Sequence, residues 1–151
     1  MERPLPLWFI HNVARVHLDG AETDGRLSIV EIAGRAGDMP PLHVHHREDE
    51  TFFVLEGTLS LHMPGASVEV PEGTAFRAPR GRPHVYRVES PVARWLAVCE
   101  PAGFEQFVRE VSEPAPADDF PPHDHPVDFG AIDAAATPAG IELLGPPGTM
   151  P

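Results

Sequence analysis

The chain has 151 residues, of which 42 % are apolar and 23 % charged, enough for one domain with a core. All 11 basic residues are arginine, and the absence of lysine excludes Schiff-base chemistry and the phosphate-gripping lysine of a P-loop. Against 23 acids they leave a formal charge of −12, which repels nucleic acid and anionic membranes and excludes both as expected partners.

At the N-terminus the apolar run Leu5 to Ile10 is broken by Pro6 and stopped by His11, too short for the apolar core of a secretory signal. No stretch has the unbroken apolar length of a membrane helix, so cytoplasmic residence is expected. From about Leu7 to Glu100, short apolar runs alternate with Gly, Pro and Asp turn signals, the pattern of an all-β sandwich or barrel. Strands are expected at Arg26–Ala33, Thr51–Leu55, Thr58–Met63, Ser67–Val70, Pro83–Val88 and Val92–Cys99. In the third of these, Leu59, Leu61 and Met63 share one face and Ser60 and His62 the other. Glu56-Gly57 reads as a tight hairpin turn. Cys99 is the single cysteine, so no intrachain disulfide forms, and it reads as a small buried residue.

Beyond Pro101, Phe104, Phe107, Val108 and Val111 fall at helical spacing, predicting an amphipathic helix over Gly103–Ser112 that packs on the outside of the β core. Glu105 and Arg109 are expected to support it as an i,i+4 pair. Residues 113–151 hold 9 of the 19 prolines, seven acids and no arginine. They read as a Pro-rich acidic arm with a short helix over Val127–Ala136 and a strand over Gly140–Leu144, lying on the barrel or on a second subunit. Residues 1–112 are thus expected to form the β-barrel domain with its trailing helix, and 113–151 an appendage that is not an independent domain. The first part carries 11 arginines against 16 acids, or −5, and the arm the remaining −7.

The chemistry concentrates in residues 37–88. On a strand, His43 and His45 point to the same side and can present two imidazoles to one metal ion. Glu50 has the wrong parity for an uninterrupted strand, which predicts a turn or bulge at His46–Asp49. His84, just after the Pro79-Arg-Gly81 turn, is a fourth candidate ligand. If Glu50 points inward, so do Phe52 and Val54; if His84 does, so do Tyr86 and Val88. Phe52, Tyr86 and Val88 are the candidate substrate-pocket residues, with Val54 read as core. Phe53 and Leu55 then face outward, to be covered by N-terminal strands or a partner subunit.

These motifs resemble the cupin superfamily. Gly37, His43, His45, Glu50 and Gly57 fill every fixed position of G-x5-H-x-H-x4-E-x6-G. Gly73, Pro79, Gly81 and His84 fill all but the last of G-x5-P-x-G-x2-H-x3-N, where Val88 replaces the asparagine. The resemblance implies a double-stranded β-helix (jelly-roll, cupin) barrel holding one divalent metal ion on His43, His45, Glu50 and His84. Nitrogen plus carboxylate ligation suits Fe, Mn, Co, Ni, Cu or Zn. The core Leu42 to Gly57, the Pro-Ala-Gly-Phe-Glu-Gln-Phe segment before the helix and the Gly-Ile-Glu-Leu-Leu-Gly-Pro-Pro ending are similar to small bacterial single-domain cupins of the quercetin dioxygenase-like group. That likeness implies a homodimer and a dioxygenase acting on a small aromatic or enolisable, flavonol-like substrate, with Glu50 as the catalytic base. The alternative is a non-redox metal cupin, an isomerase or cyclase, or a small-molecule-binding module.

Rival arrangements match fewer positions. His46-Arg-Glu48 with His84 fits the facial triad of non-haem iron oxygenases, with Arg94 as a co-substrate arginine. The H-x-H-x-D-H signature of metallo-β-lactamases fails because Arg47 stands at the aspartate position. His123-Asp-His125 reads as a solvated loop, His11, His17 and His62 as surface or satisfied strand histidines, and Glu48 and Asp49 as exposed turn residues.

Overall fold

The computed structural model describes residues 1–151. Its strands are β1 (Leu7–Phe9), β2 (Asn12–Leu18), β3 (Ser28–Arg35), β4 (Pro41–His45), β5 (Asp49–Glu56), β6 (Thr58–Met63), β7 (Ala66–Pro71), β8 (Ala75–Ala78), β9 (Val85–Val88) and β10 (Val92–Glu100). Helix α1 (Phe104–Val111), strand β11 (Glu113–Pro114), helix α2 (Phe129–Ala136) and strand β12 (Ile141–Pro147) complete the chain. Neither helix is long and apolar enough to cross a membrane.

One sheet runs β11-β1-β2-β3-β10-β5-β8. Opposite it stand β7-β6-β9 and β12-β4. These two pieces meet at a bridge in which His43 and His84 exchange backbone hydrogen bonds of 3.3 and 2.9 Å. The mostly β jelly roll expected from the sequence is the architecture found. Period-2 patterning drives it: along β10, Ala93, Trp95, Ala97 and Cys99 are buried, and along β5 Glu50, Phe52 and Val54 are buried. Phe53, on the other face of β5, is 38 % exposed, because β1 and β2 lie on the far side of β3 and β10 and do not cover it. The β5–β6 turn requires Gly57: at φ 76° a Cβ would collide with Ser90 Oγ and the Val92 carbonyl.

The helix begins one residue inside the expected Gly103–Ser112 span, but its surroundings differ from expectation. The α1 stripe Phe104, Phe107 and Val108 belongs to the main buried cluster, which also holds Phe9, Phe52 and Tyr86 of the strands. Phe104 stands 5.4 Å from the His45 ring. So α1 closes one end of the barrel instead of lying outside it. The Glu105–Arg109 pair does not form: buried Glu105 accepts the Gly20 and Gly103 amides, and Arg109 reaches Asp19 at 3.1 Å.

The C-terminal segment is strapped to the strands by the charges the composition separates. Asp118 pairs with Arg3 and with buried Arg15, the Asp119 carbonyl accepts the Trp8 indole N–H, and Arg35 stacks over Phe120. Helix α2 starts where the Asp128 side chain accepts the Ala131 amide at 3.0 Å, an N-cap that the sequence supplies locally. Ile132, Ala135, Ala136 and Ile141 join the same buried cluster as the barrel residues, and β12 pairs antiparallel with β4.

Candidate metal centre

Strand β4 presents His43 and His45 from one face, with His45 2 % exposed. The chain then turns through His46 and Arg47 and re-enters the sheet at Asp49, which restores Glu50 to the inward side. The Pro79–His84 turn is anchored to the same place, since the Gly81 amide donates to the His45 carbonyl at 2.8 Å. As a result one ligand atom from each of His43, His45, Glu50 and His84 falls within 4.8 Å of the others.

The four side chains are already oriented. Carbonyls can only accept, so His43 donates Nδ1–H to Pro41 O at 2.7 Å and His84 donates Nδ1–H to Arg82 O at 3.1 Å. Their Nε2 atoms are left to face the cluster. Glu50 Oε2 lies 3.2 Å from His45 Nε2 and 3.0 Å from His84 Nε2. Burial and the neighbouring imidazoles push His43 down to about 3. Burial also opposes charge on His45, but Glu50 and Glu48 outweigh it and raise that group to about 9. Glu50 is itself opposed by burial, yet the His45 and His84 side chains hold it well below the usual carboxylate range. Glu50 thus faces the His45 and His84 Nε2 atoms as a carboxylate, and a divalent cation at the cluster would take the place of a proton between them. Two ligands about 2.1 Å from one ion stand at most about 4.2 Å apart. Contraction by roughly half an ångström thus closes these donors on a divalent ion, and three nitrogens with one carboxylate fit the late first-row metals.

Around the cluster is a cavity of about 50 Å³. Phe9, Ile10 and Ile32 form its wall from β1 to β3, Phe52 and Tyr86 its inner wall, and Phe104, Phe107, Ile132, Ile141 and Leu143 its cover. It has no arginine, and Glu50 is its one carboxylate. Phe52 and Tyr86 occupy the positions that parity predicts. All three candidate pocket residues are buried in the core, but Val88 turns to Gly34 and alone of the three lines no part of this cavity. Tyr86 accepts a hydrogen bond from Asn12 Nδ2 at 2.7 Å, and burial raises its phenol well above the ordinary value. A larger cleft of about 370 Å³, between β1, α1 and α2, contains none of the four clustered residues.

The facial-triad alternative does not assemble. His46 is 52 % exposed in its side chain and bonds Glu142, while Arg94 lies beside Glu31 and Glu56. His125 pairs with Glu113 at 3.0 Å and packs edge-on to Trp8, away from the cavity. Two expected turn residues are not exposed: Glu48 is 2 % exposed and bonds His45, and Asp49 is held by Arg77 and Arg80. The cover residues Phe104, Phe107 and Ile132 were visible in the sequence only as apolar positions. Their periodicity carries no information about which surface they meet.

Comparison with known proteins agrees with this geometry. The cupin domain model matches residues 29–99. Quercetin 2,3-dioxygenase of Bacillus subtilis (strain 168) is 31 % identical over 99 residues, which are 66 % of this chain and 29 % of that protein, so the chain spans under a third of its relative's length. Among solved structures, KdgF from Halomonas sp. superposes with a TM-score of 0.57 at 19 % identity, over 64 % of this chain and 84 % of that one, a likeness of fold alone. The polyketide cyclase RemF from Streptomyces resistomycificus superposes with a TM-score of 0.52 at 28 % identity, over 66 % and 70 % of the two chains. The motif spacing, the jelly roll and the converging His and Glu side chains agree with the cupin match: residues 29–99 form a cupin domain, and the chain resembles the quercetin dioxygenase group.

Proposed function

We propose that the protein is a divalent-metal-dependent dioxygenase of a small aromatic or enolisable substrate, with the ion held by His43, His45, Glu50 and His84. The observation that carries this reading is the convergence of these four side chains, three of which, His43, His45 and Glu50, line a cavity whose other walls are mainly apolar. The likeness to a protein named quercetin 2,3-dioxygenase supports it.

An ion bound there supplies Lewis-acid polarisation of a substrate oxygen and, where redox-active, electrons for dioxygen. Glu50 accepts the hydroxyl proton of the substrate. Its Oε2 is engaged by His45 and His84, whereas Oε1 has no hydrogen-bond partner in the protein. Tyr86 receives the Asn12 amide on its oxygen and keeps its own O–H free to donate to a substrate oxygen. The apolar cover of α1, α2 and β12 excludes water from the reacting atoms. A cavity of about 50 Å³ is below the roughly 300 Å³ of sites for drug-sized molecules, so a ring-containing substrate enters by displacing cover side chains.

The test is oxygen uptake by metal-free protein reloaded in turn with Fe, Mn, Co and Ni, offered flavonols and smaller enols. Uptake with any pair supports the reading; none with every pair overturns it. Loss of bound metal in His43→Ala with retention in His46→Ala supports the ligand set, and the reverse pattern supports the facial triad. A second reading, a non-redox cyclase or isomerase at the same centre, is favoured by the 28 % identity to the protein named a polyketide cyclase. Turnover without oxygen selects it.

A further inference from the structure

The three histidines of the cluster are not equivalent in what holds them. His43 and His84 each donate Nδ1–H to a backbone carbonyl of their own strand or turn. His45 instead lies 2.6 Å through Nδ1 from Glu48 Oε1, in a pair whose side chains are 2 % and 3 % exposed. Glu48 has no other hydrogen-bond partner, neither a turn amide nor an arginine, although Arg77 and Arg80 sit on the adjacent Asp49. A buried carboxylate with a single imidazole partner is expensive in isolation. Its position becomes understandable when the opposite edge of that imidazole carries a cation.

We propose that Glu48 is a positioning residue of the metal centre. It holds the Nδ1–H tautomer of His45, aims Nε2 at the ion, and brings a second negative charge beside Glu50, so that a divalent ion in this apolar cavity is fully neutralised. The inference rests on the reading of His43, His45, Glu50 and His84 as ligands. A carboxylate behind a ligating histidine raises the basicity of that ligand, and its removal costs about 10- to 100-fold in metal affinity. His45 is accordingly the strongest donor of the three imidazoles.

The experiment titrates Co²⁺ into metal-free wild-type protein, Glu48→Gln and Glu142→Gln, in competition with a chelator, beside thermal melts of the metal-free proteins. Glutamine keeps the shape and an acceptor oxygen for Nδ1–H but removes the charge. Glu142, an exposed carboxylate on His46, controls for charge near the site that does not act through a ligand. Expected is Co²⁺ affinity lowered about 10- to 100-fold in Glu48→Gln, with metal-free melting unchanged and Glu142→Gln like wild type. Equal affinity of Glu48→Gln and wild type overturns the inference while leaving the ligand set standing. Equal weakening in both variants overturns it in favour of a general charge effect. A wild type that binds no Co²⁺ overturns both the inference and the ligand reading. Should Glu48→Gln fail to fold, nitrogen-edited NMR of Zn²⁺-loaded wild type decides: the His45 Nδ1 proton is expected furthest downfield of the three. A His45 resonance level with those of His43 and His84 refutes the role.

Discussion

Replacing Glu105 by alanine is expected to destabilise the protein far more than replacing Arg109. Helix α1 has Gly103 at its N-cap position, with φ 149° and no side chain to cap the first turn. Glu105 does that work from inside the helix: Oε2 accepts the Gly103 amide at 2.7 Å and Oε1 the Gly20 amide at 3.0 Å, with the residue 1 % exposed. Hydrogen bonds to a charged group contribute about 1.5 to 3 kcal/mol each, and truncation also leaves two amides without a partner, so Glu105→Ala costs about 3 to 5 kcal/mol. For a chain of this size that lowers Tm by roughly 6 to 20 °C. Arg109 makes one exposed ion pair, to Asp19, and Arg109→Ala leaves the midpoint within error of wild type. Urea unfolding of both variants, read by tryptophan fluorescence, provides the comparison. Equal losses in the two would mean that the intrahelical pair suggested by the i,i+4 spacing is the real support, and a loss under about 1 kcal/mol in Glu105→Ala would mean that the buried carboxylate supports neither the turn nor the helix.

Three further outcomes are expected. Buffering the wild type with a suitable divalent ion at 100 times its Kd adds about 2.7 kcal/mol of stability, so Tm rises on loading and falls back with chelator; a melt indifferent to every divalent ion tested contradicts a site linked to the fold. Glu31 is opposed by burial but held below its ordinary 4.5 by hydrogen bonds from His17 and Arg3, so its contribution is complete above pH 4.5 and is lost as pH falls through its lowered folded value. The acid limb of a stability–pH curve is therefore shallower in Glu31→Gln than in wild type, and parallel limbs refute the assignment. Cys99 is fully buried and burial pushes its thiol well up, so it resists aromatic disulfide reagents in the folded protein and reacts on unfolding in urea; reaction at the native rate of a free thiol contradicts the packing.

The parts of this protein that depend on local chemistry were legible before any coordinates. Strand parity brings His43 beside His45 and points Phe52 with Glu50, because successive side chains alternate faces by covalent geometry. The same rule required a break before Glu50, and the chain turns at His46 and Arg47. The apolar spacing of α1 likewise acts within a few residues and places that helix, whereas α2, expected from Val127, begins at Phe129 because the Asp128 side chain caps it.

What the sequence could not decide were the meetings of surfaces far apart along the chain. The stripe Phe104, Phe107 and Val108 is equally apolar whether it rests outside a barrel or closes its mouth, and only docking against Phe9 and the His45 ring selected the second. Glu48 has the composition of an exposed turn residue, yet the tight return from β4 to β5 swings it behind His45. Val88 satisfies the inward parity of β9 and still misses the cavity, since Gly34 on β3 leaves it a place to pack. The acidic excess with which the composition begins follows the same division. Its amount and its concentration beyond residue 112 are properties of the sequence alone. That Asp118 sits between Arg3 and buried Arg15, turning part of that excess into the strap that holds the C-terminal segment on the strands, is set by the fold, because pairing charges over such separations needs the backbone to bring them together.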